Sequence, residues 1–291
     1  MPEKSRLYTL LGDYPNTTAL KKGEVVSDLI DFVFADVKVS NTAFKPLVRE
    51  ARFDLGELAI VTYLQAKAYG KPYVLIPATV LGRGQHHTIA YNPERGPLSA
   101  SDLMGKRVGV RAYTQTTGGF LADDYKIDPA RIHWVTFEDP HLAEFKDPDF
   151  VTRAPEGKTM VQMLIDGELD AAIVGDKLPD PRLAPLIEDA DTAARKWAEM
   201  YGGIPINHMM VIRSAIASSH PDVVKEIYRV LRESRRAVPP AADGNVFDPW
   251  RFGVGPTRRS LEIIIDYSFR QKLIPRIFSV DELFEDVCAL T

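Results

Sequence analysis

Strand-sized and helix-sized apolar patterns alternate along the whole chain, and nothing else in the sequence restricts the fold as strongly. Such alternation specifies helices layered on a largely parallel sheet and excludes a helical bundle or an all-β sandwich. Residues 5–11 read as a short strand, and 16–22 as a helical turn entered through Gly12-Asp13-Tyr14-Pro15. Residues 31–37 (DFVFADV) alternate as a strand does; 42–51 form a predicted helix with Phe44, Leu47 and Val48 on one face. Residues 53–70 read as a short strand followed by a helix that stops at Gly70, with further strands over 73–80 and 88–91. A brief helix over 101–104, a strand over 107–111 and a helix from Thr114 to about Tyr125 come next, then a strand over 132–137. Residues 138–155, acidic and proline-containing, read as a surface excursion. Met160, Met163 and Leu164 form a helical stripe before a strand over 169–174. The remainder predicts helices over 191–201, 221–236, 257–272 and 280–284, with a strand over 208–213.

The chain has 291 residues, enough for two compact domains with a sizeable core. Thirty-six Lys and Arg against 40 Asp and Glu leave a net charge of −4, with no basic block of the kind a nucleic-acid binder carries. The early apolar run, 7–11, stops at Gly12 and Asp13, too short for a secretory signal. No window approaches the roughly 18 apolar residues of a membrane span. The expectation is a cytoplasmic protein with no membrane or nucleic-acid partner; whether it forms a homo-oligomer is not written in the sequence. The single cysteine, Cys288, cannot form an internal disulfide. No His, Cys, Asp and Glu spacing marks a metal site, and no phosphate-binding glycine loop or G-x-S-x-G elbow is present.

Several blocks carry a resemblance together. PEGKTMVQMLIDGELDAAI at 155–173, L-x-G-K-R-V-G-V at 103–110, GGIPINHMMVIR at 202–213, and Asp248-Pro249-Trp250 through Gly253 with Arg259-Ser260-Leu261-Glu262 resemble the 4,5-dihydroxyphthalate decarboxylase family. That family is a branch of the type II periplasmic-binding-protein-like superfamily, and the likeness spans nearly the whole chain. It implies a two-lobed α/β fold with two interlobe crossings and a central cleft. The first lobe would be 1–88 plus 210–291, the second 89–209. It also implies a cofactor-independent carboxy-lyase acting on a small aromatic carboxylate. The rival function is a solute-binding protein that hands a small organic anion to an ABC-type transporter.

Decarboxylating a hydroxylated aromatic acid without a cofactor requires protonation of the carboxylate-bearing carbon, a partner for the ring hydroxyl, and a cation or N–H groups for the carboxylate. The loop Gly82-Arg83-Gly84-Gln85-His86-His87 offers a fixed cation and two imidazoles. If it continues as strand, only one of His86 and His87 can face the cleft. The resemblance aligns His86, Arg83 and His208 with family residues, and Phe53-Asp54-Leu55-Gly56-Glu57 with the family's F-D-V-A-E block. His86, His208 and Glu57 are therefore the catalytic candidates. Asp13, Tyr14, Asn16, Arg83, His87, Arg111, Asp176, Lys177 and Asn207 are the substrate-binding candidates, together with the hydroxyl-rich helix start Tyr113, Thr114, Gln115, Thr116 and Thr117. His133, His141 and His220 read as structural or exposed.

The chain also departs from the family. Where the family's first loop resembles D-Y-D-R-T-R-A-L, this chain has Asn16 and Thr18 in place of two arginines. Each lost charge-assisted bond is worth roughly 1.5–3 kcal/mol, so a dianionic substrate should be held less tightly, with Arg111 as a partial replacement.

Overall fold

The structure, a computed structural model, describes residues 3–115, 118–239 and 248–287, so Cys288, Thr116 and Thr117 lie outside the described residues. The chain divides into two compact units. The first comprises Met1–Arg83, Ile204–Ile265 and Arg276–Thr291, and the second Gly84–Gly203 with Asp266–Pro275. The expected division, by contrast, switched at 88 and 210 and kept the whole C-terminal region in the first lobe.

In chain order the first unit contains β1 (Ser5–Leu10), α1 (Thr18–Lys21), β2 (Ile30–Phe34), α2 (Phe44–Glu50), β3 (Leu55–Ala59), α3 (Ile60–Ala68) and β4 (Tyr73–Leu81). The second contains β5 (Ile89–Tyr91), β6 (Arg107–Val110), α4 (Gly118–Tyr125), β7 (His133–Thr136), β8 (Val151–Arg153), α5 (Met160–Ile165), β9 (Ala171–Ile173), β10 (Ala184–Pro185) and α6 (Ala190–Tyr201). The chain then continues through β11 (His208–Arg213), α7 (Ser214–Ser219), α8 (Pro221–Arg236), α9 (Val254–Arg270) and α10 (Val280–Phe284).

In the first unit the strand order is β2-β1-β3-β11-β4. β1 is parallel to β2 and β3, whereas β11 is antiparallel to both β3 and β4. The sequences explain the central places. YVLIPATVL in β4 and HMMVIR in β11 are apolar almost throughout, as strands covered on both faces must be. Pro77 lies inside β4 and cannot donate to a ladder, and the β11 pairing slips in register between Met209 and Val211, opposite it. The outer edge of β4 is occupied by residues 251–253: Thr79 N–H donates to Arg251 O at 3.0 Å, and Gly253 N–H to Pro77 O at 2.8 Å. The edge therefore offers no open row of backbone groups there. On α8, Pro221 opens the helix, Asp222 sits in its first turn and Arg235 and Arg236 in its last, while Val223, Val224, Ile227, Val230 and Leu231 are buried.

In the second unit the order is β10-β5-β9-β6-β7-β8. β6 is parallel to β7 and β9, and β5 is antiparallel to β9. The stripe read from the sequence is the inner face of α5: Met163, Leu164 and Ile165 pack with Leu169, Ala172 and Val135. Residues 138–155 are not wholly a surface excursion. Their end, Val151–Arg153, adds β8 in parallel to the sheet edge beside β7. Three residues with one Val carry too little alternation to be seen in sequence. Among the described residues no helix is long and apolar enough to cross a membrane.

Candidate active site

Because β1, β3 and β4 run one way and β11 the other, the C-terminal ends of the first three and the first residue of β11 share one end of the first unit's sheet. His208 pairs with Ala59 at the end of β3 and with Leu81 at the end of β4. Strand ends of this kind are where open α/β sheets hold ligands, because the loops that leave them can present side chains without breaking the ladder.

Glu57 is the centre of that end and is wholly buried. Leu10 pairs with Gly56, which brings the loop after β1 over the next residue, Glu57. Gly12 N–H donates to Glu57 Oε1 at 2.7 Å, Tyr14 O–H to Oε2 at 3.0 Å, and His208 Nδ1 lies 2.9 Å from Oε2. A Cβ on Gly12 would sit 2.8 Å from the Glu57 carboxylate, so only glycine brings the backbone this close. Tyr14 Oη also lies 3.3 Å from Ser40 Oγ, and the Phe44 ring meets His208 edge-on at 5.1 Å.

The charges follow from this geometry. Burial pushes the Glu57 carboxyl up, but hydrogen bonds from His208, Ser40 and the Gly12 N–H, with the His208 charge, outweigh it and hold the group below its ordinary value. Burial first, and then the Glu57 charge, push the Tyr14 phenol well above its own. The carboxylate is therefore the acceptor, and Tyr14 and His208 Nδ1 carry the protons. With Nδ1–H held by Glu57, Nε2 is the ring nitrogen left for chemistry, and 13% of the His208 side chain is exposed. An acid holding a histidine by one nitrogen so that the other works is the arrangement of catalytic dyads.

Arg83, Asn207 and Asn16 stand at the same strand ends. Arg83 N–H donates to Asn207 Oδ1 at 2.7 Å, and Asn207 is itself fixed by bonds to Leu81 O and from Ile60 N–H, both 2.9 Å. Burial lowers the Arg83 guanidinium from its ordinary value, with Tyr14 acting in the opposite sense. Asn16 is 2% exposed; its Nδ2 donates to Val80 O at 3.2 Å, while Oδ1 is buried without a partner among the described residues. Asp13 points to solvent and pairs with Lys21.

The second unit holds another histidine–carboxylate pair. His86 and His87 are not on a strand: they form a single 3₁₀ turn, His86–Thr88, so strand alternation does not separate them. His86 is nonetheless buried and His87 half-buried. His86 Nε2 lies 3.0 Å from Asp124 Oδ2, its ring packs on Phe120 at 4.2 Å, and Nδ1 has no partner among the described residues. His87 Nε2 meets Asp176 Oδ1 at 3.0 Å near the surface, with Lys177 exposed beside it. The remaining candidates stand apart from both pairs. Arg111 Nε is 3.1 Å from Glu138, so its charge is already matched. Tyr113 is fully buried, donates its hydroxyl to Gln271 O at 3.2 Å and packs edge-on against Trp134, the contacts of a core residue. Thr114 is buried behind it, and Gln115 closes the same short turn. His133 is exposed, His141 buried, and His220 precedes α8.

Sequence reasoning missed Ser40, Phe44, Asp124 and Phe120. Only the last two left a signal, an aromatic and an acid four apart on one predicted helix, which must share a face.

No family model matches the chain. Among solved structures it resembles the alkanesulfonate-binding protein SsuA from Xanthomonas axonopodis pv. citri, at 13% identity and TM-score 0.58, with 97% of this chain and 99% of that one covered. It also resembles the periplasmic aliphatic sulphonate binding protein SsuA from Escherichia coli, at 11% identity and TM-score 0.57, with 98% of each covered. The fold is thus of the periplasmic-binding-protein class. The curated relatives define the lineage within it. A 4,5-dihydroxyphthalate decarboxylase of Comamonas testosteroni is 31% identical over 250 residues, 80% of this chain and 75% of the relative. One of Pseudomonas putida is 32% identical over 212 residues, 67% of this chain and 81% of the relative. The chain belongs to the 4,5-dihydroxyphthalate decarboxylase family.

Proposed function

We propose that the protein decarboxylates a hydroxylated aromatic carboxylate, 4,5-dihydroxyphthalate or a close relative, by protonating the ring and releasing CO2. The observation that carries the reading, beside family membership, is the buried Glu57 carboxylate holding His208 by Nδ1. In this reading Arg83 binds substrate carboxylate, and Asn16 Oδ1, unpartnered among the described residues, accepts a hydrogen bond from the ring hydroxyl. The imidazolium of His208 passes the Nε2 proton to the carbon that bears the carboxylate. A ring π pair forms the new C–H bond, and the positive charge left behind is shared with the para hydroxyl oxygen. The bond to the carboxylate then breaks, CO2 leaves, and that electron pair restores the aromatic ring. His208 regains a proton from solvent, so the net reaction consumes one proton. His86 is the second histidine assigned to proton transfer, through Nδ1. A cytoplasmic location belongs to the same proposal.

The test is direct. Purified protein incubated with 4,5-dihydroxyphthalate and with dihydroxybenzoates should release CO2 from at least one of them. Tight binding across that panel without CO2 release would instead favour the solute-binding function of its fold relatives.

A further inference from the structure

We propose that Tyr267 is a positioning residue for His86, acting through helix α4; the proposal rests on the assignment of His86 to proton transfer. α4 carries two i, i+4 pairs side by side. Phe120 and Asp124 face His86: the Phe120 ring lies 4.2 Å from the imidazole, and Asp124 Oδ2 takes its Nε2 at 3.0 Å. Gly119 and Asp123, one residue earlier on each turn, face Tyr267. Its O–H donates to Asp123 Oδ2 at 2.6 Å and accepts from Trp197 Nε1 at 3.0 Å, while both Arg270 Nη atoms reach Asp123 Oδ1 at 3.1 Å.

Gly119 is what lets the ring approach: a methyl group there would overlap the Tyr267 ring. Packing holds this side of the helix only in part: Gly118 and Gly119 closely meet Gln271, Pro129 and the Tyr267 ring, while a half-open pocket of about 200 Å³ lies beside them, bordered by Ala122. The contact rests on two glycines and one ring, and the polar clamp on Asp123 fixes the helix against that ring. Because the helix backbone is rigid, the position of Asp123 sets that of Asp124. A donor displaced by about 1 Å from its productive place can cost up to about 100-fold in rate.

The experiment combines ¹⁵N NMR of His86 in the unliganded protein with steady-state kinetics. Tyr267→Phe removes one oxygen and keeps the ring; Gly119→Ala pushes ring and helix apart. Both should change the His86 tautomer signal in the direction of Asp124→Asn, and lower kcat by about 10-fold or more with KM altered much less. Asn92→Ala loses a comparable buried bond, to Ile165 O in the same unit, and should leave the His86 signal and kcat unchanged. If Gly119→Ala does not fold, Tyr267→Phe carries the test. An unchanged His86 signal in folded Tyr267→Phe overturns the proposal. A changed signal with wild-type kcat overturns the assignment of His86 to proton transfer instead, and so separates the two failures.

Discussion

Replacing His208 by alanine is expected to lower turnover about 100-fold or more, the usual loss when a positioned acid is removed from a proton-transfer step. The reason lies in what the ring does that no neighbour can replace. Tyr14 also donates to Glu57, but burial and the Glu57 charge hold its phenol well above its ordinary value, so it is a poor proton source. Glu57 itself is wholly buried and held as a carboxylate. KM should change much less than kcat, because Arg83 and Asn16 are left in place to bind substrate. His208→Gln should not restore activity, since an amide cannot deliver a proton near neutral pH. His86→Ala is expected to lower kcat by a similar factor. Wild-type kcat in the His208 variant would reject the assignment, and stopped-flow or steady-state CO2 measurement decides it.

The second large effect is on stability. Glu57→Ala should destabilise the fold by about 3–5 kcal/mol, the cost of removing one member of a buried charged pair. The cost comes from what is stranded: Gly12 N–H, Tyr14 O–H and His208 Nδ1 all lose their acceptor at once. The same group gives the fold an acid limb. Its folded pKa lies below the ordinary value of 4.5, so the unfolded chain binds the proton first as pH falls. The stability Glu57 contributes is fully present above about pH 4.5 and is lost as pH falls through the folded value, at about 1.4 kcal/mol per unit of depression. Urea midpoints measured from neutral pH down to the acid limb should therefore fall more steeply for wild type than for Glu57→Gln, which has nothing to titrate. Parallel curves would show that the fold does not hold the Glu57 carboxyl below its ordinary value.

The alternation of strand-sized and helix-sized apolar patterns matches the fold where the pattern is long. The strands at β4 and β11 and the helix α8 lie where the pattern puts them, because burying a strand on both faces or a helix on one demands that pattern whatever the rest of the chain does. Some short elements escaped, although β5, β9 and α10 did not. β10, β8 and α7 are held by their neighbours rather than by their own residues: β8 survives as three residues because β7 supplies its ladder. The first-unit site was legible in part. Glu57, His208, Tyr14, Arg83 and Asn207 were named from residue type and resemblance, and the strand ends bring them together. Ser40 and the Gly12 N–H were not named, because a serine in a loop and a backbone amide look alike wherever they occur. Arg111 illustrates the converse: in sequence it was a spare cation, in the fold it is paired with Glu138.

What the sequence determined alone was therefore the class of fold and the residue types available for proton transfer, since both are local or periodic properties. Only the tertiary structure decided how each group is used. Which nitrogen of His208 is free, and whether Glu57 is charged, depend on partners up to 151 residues away along the chain. No periodicity records such distances, because the free energy of a buried hydrogen bond is set by where the chain returns, not by what lies beside it in sequence.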